Sequence, residues 1–152
     1  MEFGRLYDGM MARVKKATAG KTYDTVTFIW MQGETDAGKE LVELYVDSFQ
    51  SIVARLKSDL KIESINIVIG RLSDFGLANG KSKDAWTKMR EIQVTLAEDD
   101  PNCEWVNTDD LNDKSEDGKT WDNLHYTKEG YKILGQRFAE KAIGLIKKQE
   151  KS

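Results

Sequence analysis

Apolar positions along this chain alternate between two periods. Leu6, Met10, Met11, Val14 and Ala17 recur at helical spacing, and Gly20 follows as a stop. Residues 25–31 then form a near-continuous apolar, β-rich run, the pattern of a strand buried on both faces of a parallel sheet. The run ends in Gln32-Gly33-Glu34-Thr35-Asp36. From 39 to 60, Leu41, Leu44, Tyr45, Phe49, Ile52, Val53, Leu56 and Leu60 predict one long amphipathic helix. Residues 65–69 read as a second strand, closed by Gly70 to Asp74. A loop through Gly76 and Gly80 leads to a helix striped by Trp86, Met89, Ile92, Val94 and Leu96, with Ser82 or Asp84 as its cap. Asp99, Asp100 and Pro101 stop that helix, and residues 103–107 read as a third strand. An acidic loop over 108–122 precedes a last helix capped by Thr127, with Tyr131, Leu134, Phe138, Ala142, Ile143 and Ile146 expected inward and Lys147, Lys148 and Lys151 at its end.

Strand and helix patterns alternate throughout, which predicts α/β layers around a parallel sheet joined by right-handed crossovers. Three strands are few for such a sheet, so one or more partners are missing from the pattern. The 152 residues are expected to form a single domain, 1–152. Apolar residues at 39% and charged residues at 32% place the chain with folded globular proteins. The formal charge of −3 weakens a nucleic-acid reading, and Trp86, Trp105 and Trp121 have no basic patch among them. The sequence carries no membrane-spanning apolar stretch and no signal-peptide pattern at its start, so the chain as written reads as cytoplasmic. Cys103, the one cysteine, excludes an internal disulfide and reads as a half-buried structural thiol.

The candidate chemistry lies where the strands end. The carboxyl edge of a parallel sheet is the usual ligand side, and the loop 32–36 offers an amide, two carboxylates and a hydroxyl there. Residues 33–40 mimic a phosphate loop, but Glu40 stands where that motif needs a hydroxyl, and Glu34 and Asp36 would repel phosphate. His125 is the one histidine, and Asp122 precedes it by three residues. That spacing allows Asp122 to bind one ring nitrogen, about 3 Å away, while the other abstracts a proton. It equally allows an exposed turn histidine with Asp122 as a local cap. No zinc spacing is present, and Asp109, Asp110, Asp113, Glu116 and Asp122 lack the spacing of a calcium loop, so no metal is expected.

Trp30-Met31-Gln32-Gly33-Glu34-Thr35-Asp36, with distal Asp122-x-x-His125-Tyr126 and Gly130-Tyr131, resembles the SGNH-type carbohydrate esterases. Within them it is most similar to acetylxylan and sialate O-acetylesterases. The similarity also takes in residues 6–14, Val68-Ile69-Gly70, Trp86-x-x-x-Arg90-Glu91-x-Gln93 and residues 107–111. The resemblance implies a three-layer, flavodoxin-like α/β sandwich and a serine esterase needing no cofactor. Its substrate would be an acetylated carbohydrate or another small acetyl ester. By position it makes His125 the general base and Asp122 its orienting partner. Gln32 and Gly33 lie on the oxyanion and substrate side, and Glu34 is the motif carboxylate beside them, with an alternative structural role in tying down the loop.

The family's nucleophile sits in a Gly-Gln-Ser-Asn block after its first strand, and this sequence holds no such block. The expectation is therefore of the C-terminal portion of an esterase domain, truncated at its N-terminus and weakly active or inactive alone. The alternative is a non-catalytic remnant that binds carbohydrate or another protein. In either case residues 25–31 should lack a neighbour on one side, and the chain should pair through that edge with itself or with a partner chain.

Overall fold

The three β-rich runs become strands β1 (Thr27–Trp30), β2 (Asn66–Gly70) and β3 (Cys103–Val106). The computed structural model describes residues 4–39, 41–78, 82–112 and 124–150. The strands pair in parallel in sequential order, with Phe28 opposite Ile67 and Ile67 opposite Cys103. Helices fill the connections: α1 (Arg5–Thr18), α2 (Glu34–Gly38), α3 (Tyr45–Leu60), α4 (Lys83–Glu98) and α5 (Lys128–Gln149).

Side-chain alternation divides the core in two. Phe28, Trp30, Ile67, Ile69, Cys103 and Trp105 point to one face, where they meet Met11 of α1, Phe49 and Leu56 of α3 and Ala97 of α4. Val68 and Val106 point to the other, against Leu134, Phe138 and Leu145 of α5. The result is three layers, with α1, α3 and α4 on one side of the sheet and α5 on the other.

The sheet is more asymmetric than the hydrophobic pattern implied. β2 is buried along its whole length, as expected for a central strand. β1 is not buried on both faces: it pairs only with β2 among the described residues, and Ile29 is 49% exposed. Ile29 shares the face of Val68, but α5 lies mainly over β2 and β3 and leaves Ile29 uncovered on that side. The apolar run of residues 26–31 thus marks a strand suited to an interior position that has an open edge here.

Two helices also differ from their sequence pattern. The helix expected over 39–60 starts only at Tyr45, as α3: α2 ends before residue 39, and a 3-10 turn over Val42–Leu44 leads into α3. Glu34 to Gly38 already turn as a helix, so the chain must bend before Tyr45 can enter the core. In α1 the buried residue is Met11, while Leu6 projects into solvent. At α5 the expected cap is present, with Thr127 Oγ1 accepting from the Gly130 N–H at 2.8 Å.

Candidate active site

All three strands run the same way, so the segments that follow them collect at one end of the sheet. β1 leads into Gln32 and Gly33, β2 into Arg71 to Asp74, and β3 into Asn107 to Asn112. Gly33 has φ of 140°, a conformation that disfavours side chains, and it opens α2 directly. Gln32 donates through Nε2 to Asp36 at 3.0 Å, which folds the loop onto the first turn of α2.

α4 binds these loops together through side chains. The Trp86 indole donates to the Ser73 carbonyl at 2.7 Å, Arg90 donates to the Leu72 carbonyl, and Gln93 accepts from the Leu72 N–H at 2.8 Å. The other end of Gln93 donates to the Gln32 carbonyl at 2.9 Å, and so joins the loop after β1 to the loop after β2. Asp109 ties in the third loop, accepting from Arg90 at 2.8 Å and from Arg71 at 2.7 Å. Burial depresses the pKa of Arg71 and the neighbouring Arg90 adds to this, while Asp109 opposes it. Thr108 donates its hydroxyl to the Arg71 carbonyl at 2.8 Å, and Asn112 donates to Asp74 at 3.0 Å.

These contacts correct the expected apolar stripe of α4. Its buried side is Trp86, Met89, Arg90, Gln93 and Ala97, while Ile92, Val94 and Leu96 are only half-buried. A stripe at spacing 86, 90, 93, 97 is as helical as the apolar one, and its polar members at 90 and 93 were the available signal. The hydrophobic pattern places Tyr45 on the apolar face of its helix. Its hydroxyl in fact lies within this polar set, donating to the Gln32 carbonyl at 3.0 Å.

Residues 124–126 return to the same end of the sheet. Leu124 packs with the cluster of Ala37, Leu72, Trp86 and Met89, and Tyr126 joins the cluster of Val68, Val106 and Leu111. The Thr127 N–H donates to the Leu111 carbonyl at 3.2 Å, which anchors the turn before α5. Burial pushes the Tyr126 phenol up to about 12, and the Glu34 carboxylate is among the charges that add to the rise. His125 stands exposed between Leu124 and Tyr126. Gln32, Gly33, Glu34 and His125 are therefore borne on segments at one end of the sheet, whereas Asp122 falls outside the described residues.

Parallel strands in sequential order, helices on both faces and a loop set gathered at the carboxyl end define an α/β domain of the SGNH-hydrolase type. An X-ray structure of a protein from Arabidopsis thaliana, refined at 1.6 Å, superposes with a TM-score of 0.71 at 27% sequence identity. The match covers 94% of this chain and 54% of that one, so this chain spans about half the length of the solved protein. The chain belongs to the carbohydrate esterase family described as sialic acid-specific acetylesterase, which it matches over residues 1–144. No curated protein matches it.

Proposed function

We propose that this chain forms the histidine-bearing part of a carbohydrate or sialate O-acetylesterase site. In this reading His125 is the general base, Asp122 orients it, and Gln32 and Gly33 line the oxyanion side with Glu34 beside them. The reading is carried by one observation: the Gln32–Gly33 turn and the segment bearing His125 meet at the carboxyl end of a single parallel sheet. The reaction is acyl transfer in two steps. A serine oxygen attacks the acetyl carbonyl while the histidine takes its proton, and the alcohol leaves with that proton. Water then attacks the acetyl-enzyme by the same route and releases acetate.

The attacking serine is proposed to come from outside the described residues. Ser48, Ser51 and Ser58 lie on α3, and Ser64 precedes β2 at the far end of the sheet. Ser73 is at the right end but only 2% exposed, and Ser82 enters α4 without following a strand. The open edge of β1 supports a missing neighbour that would carry the serine, as does the greater length of the solved protein. Such a neighbour would belong to another part of the polypeptide or to a separate chain.

The test is hydrolysis of p-nitrophenyl acetate by the chain alone, with labelling by a fluorophosphonate probe read by intact mass. Turnover close to the uncatalysed rate, no label, and no change in His125→Ala are expected. A burst of nitrophenol abolished by His125→Ala, or a single stoichiometric label, would show that this chain holds its own nucleophile.

A further inference from the structure

Gln93 has no solvent access, yet it lies in the middle of α4 and makes its bonds to the loops rather than to its own helix. Its Oε1 accepts from the Leu72 N–H, which fixes the orientation of the amide. Nε2 then donates one proton to the Gln32 carbonyl, 2.9 Å from the nitrogen, and the other to Tyr45 Oη of α3, 3.1 Å away. Trp30 Nε1 also donates to Tyr45 Oη, at 2.8 Å. The proton count closes in one way. Tyr45 Oη accepts from Trp30 and Gln93, and its single proton goes to the Gln32 carbonyl at 3.0 Å. That carbonyl consequently accepts two bonds, both from buried donors that are themselves held.

The peptide from Gln32 to Gly33 is trans, so the Gly33 N–H runs antiparallel to the pinned carbonyl and points away from Tyr45 and α4. The buried side is filled: a Cβ on Gly33 would lie 3.2 Å from Gln93 Nε2 and 3.4 Å from the Met89 side chain. We propose that Gln93 is a positioning residue, which with Tyr45 locks this peptide so that the Gly33 N–H is a fixed donor facing the reaction space. The locking stands on the contacts alone. That the donor serves a developing oxyanion rests on the esterase reading above, where a donor already oriented needs no rearrangement as charge appears.

The test is triple-resonance NMR of the 15N,13C-labelled full chain. Hydrogen bonding at a carbonyl is read from its own carbon and from the following amide nitrogen, and the Trp30 indole N–H reports on Tyr45. Gln93→Leu should move the Gln32 carbonyl carbon upfield, shift Gly33, and broaden Gly33 by exchange as the peptide gains freedom. Tyr45→Phe should shift the same two signals and the Trp30 indole, and the double variant should broaden Gly33 beyond either single change. If Gln93 merely tied α4 to β2, Gln93→Leu would displace the Leu72 amide and leave Gln32 and Gly33 in place, which overturns the proposal. Should Gln93→Leu fail to fold, Tyr45→Phe decides: unmoved Gln32 and Trp30 signals there refute the network. None of these readouts needs turnover, so loss of the esterase reading leaves the positioning result standing, and the reverse also holds.

Discussion

Removing Asp109 tests whether the loops at the carboxyl end are held by charge as strongly as the contacts imply. Asp109→Ala deprives Arg90 and Arg71 of their shared carboxylate, at 2.8 and 2.7 Å. Exposed ion pairs contribute about 0.2–1 kcal/mol, while breaking a buried one costs about 3–5 kcal/mol. This triad lies between the limits, with side-chain exposures of 9% for Arg90, 17% for Arg71 and 33% for Asp109. Each arginine also keeps a second partner, Arg90 the Leu72 carbonyl and Arg71 the Asn107 side chain. The expected loss is therefore about 2–3 kcal/mol, a large share of the roughly 5–15 kcal/mol available to such a domain. In urea this corresponds to a midpoint lowered by about 1–1.5 M at an unchanged slope. The titrations belong at one fixed protein concentration, because any association would contribute to the midpoint. A double-mutant cycle should show stronger coupling of Asp109 to Arg90 than to Arg71, in the order of their burial. A loss below about 0.5 kcal/mol for Asp109→Ala would mean that water and not Asp109 satisfies these arginines, and the reverse order of coupling would refute burial as what ranks the two pairs.

Three further outcomes follow from the packing, the titrating groups and the open edge. In Gly130→Ala the new Cβ would sit 2.0 Å from the Leu111 carbonyl oxygen, so thermal unfolding should show a loss of about 2–3 kcal/mol. Gly135→Ala, which meets nothing within 4 Å, should be neutral or better, and equal behaviour of the two would refute the close approach. Cys103 is raised by burial from 9.0 to about 12 and Tyr126 from 10.0 to about 12. Between about pH 9 and 12 the unfolded chain thus sheds protons that the folded chain keeps. Stability should be intact below that window and fall through it by up to about 1.4 kcal/mol per pH unit for each group, and a flat profile to pH 12 would contradict their burial. Sedimentation velocity at micromolar concentration should show association through β1, reduced by Ile29→Lys on its bare face; a monomer indifferent to that change would clear this edge of the role.

The fold was legible wherever one period dominated. Residues 65–69 are apolar except for Asn66 because β2 is covered on both faces and flanked on both edges, and Thr127 announced α5 because a hydroxyl cap acts locally. At β1 the pattern and the structure part over burial, not pairing. Val26, Phe28 and Ile29 record the burial a strand is suited to, whereas Ile29 is exposed and the edge of β1 is unpaired among the described residues, as the absence of the serine block leads one to expect. The bonds of Tyr45 and Gln93 are hidden for a different reason. An apolar ring conceals its hydroxyl in a count of hydrophobic positions, and Gln93, although it stands in the resembling motif and on the helical stripe of Trp86 and Arg90, does not declare its partners 48 and 61 residues away. The motif around Gln32 and Gly33 located the site, but the set of side chains that shapes it is made by long-range contacts that no window along the chain contains.

Because side chains of α4 join the loops after β1 and β2, the order of assembly in folding is constrained as well. The sheet can pair strand by strand through its own backbone, but the Gln32–Gly33 turn has both bonds to its carbonyl only when α4 is docked and Gln93 joins Tyr45 there. In native-state hydrogen exchange the Leu72 amide should open together with the amides of α4 rather than with those of β2, because its acceptor belongs to the helix. Leu72 exchanging with Val68 and Ile69 instead would place the loop in the cooperative unit of the sheet. A substitution on the outer side of α4, far from Gly33, thereby gains a route to the reactive end of the domain: it changes how often the helix lifts, and with it how often the turn loses its shape.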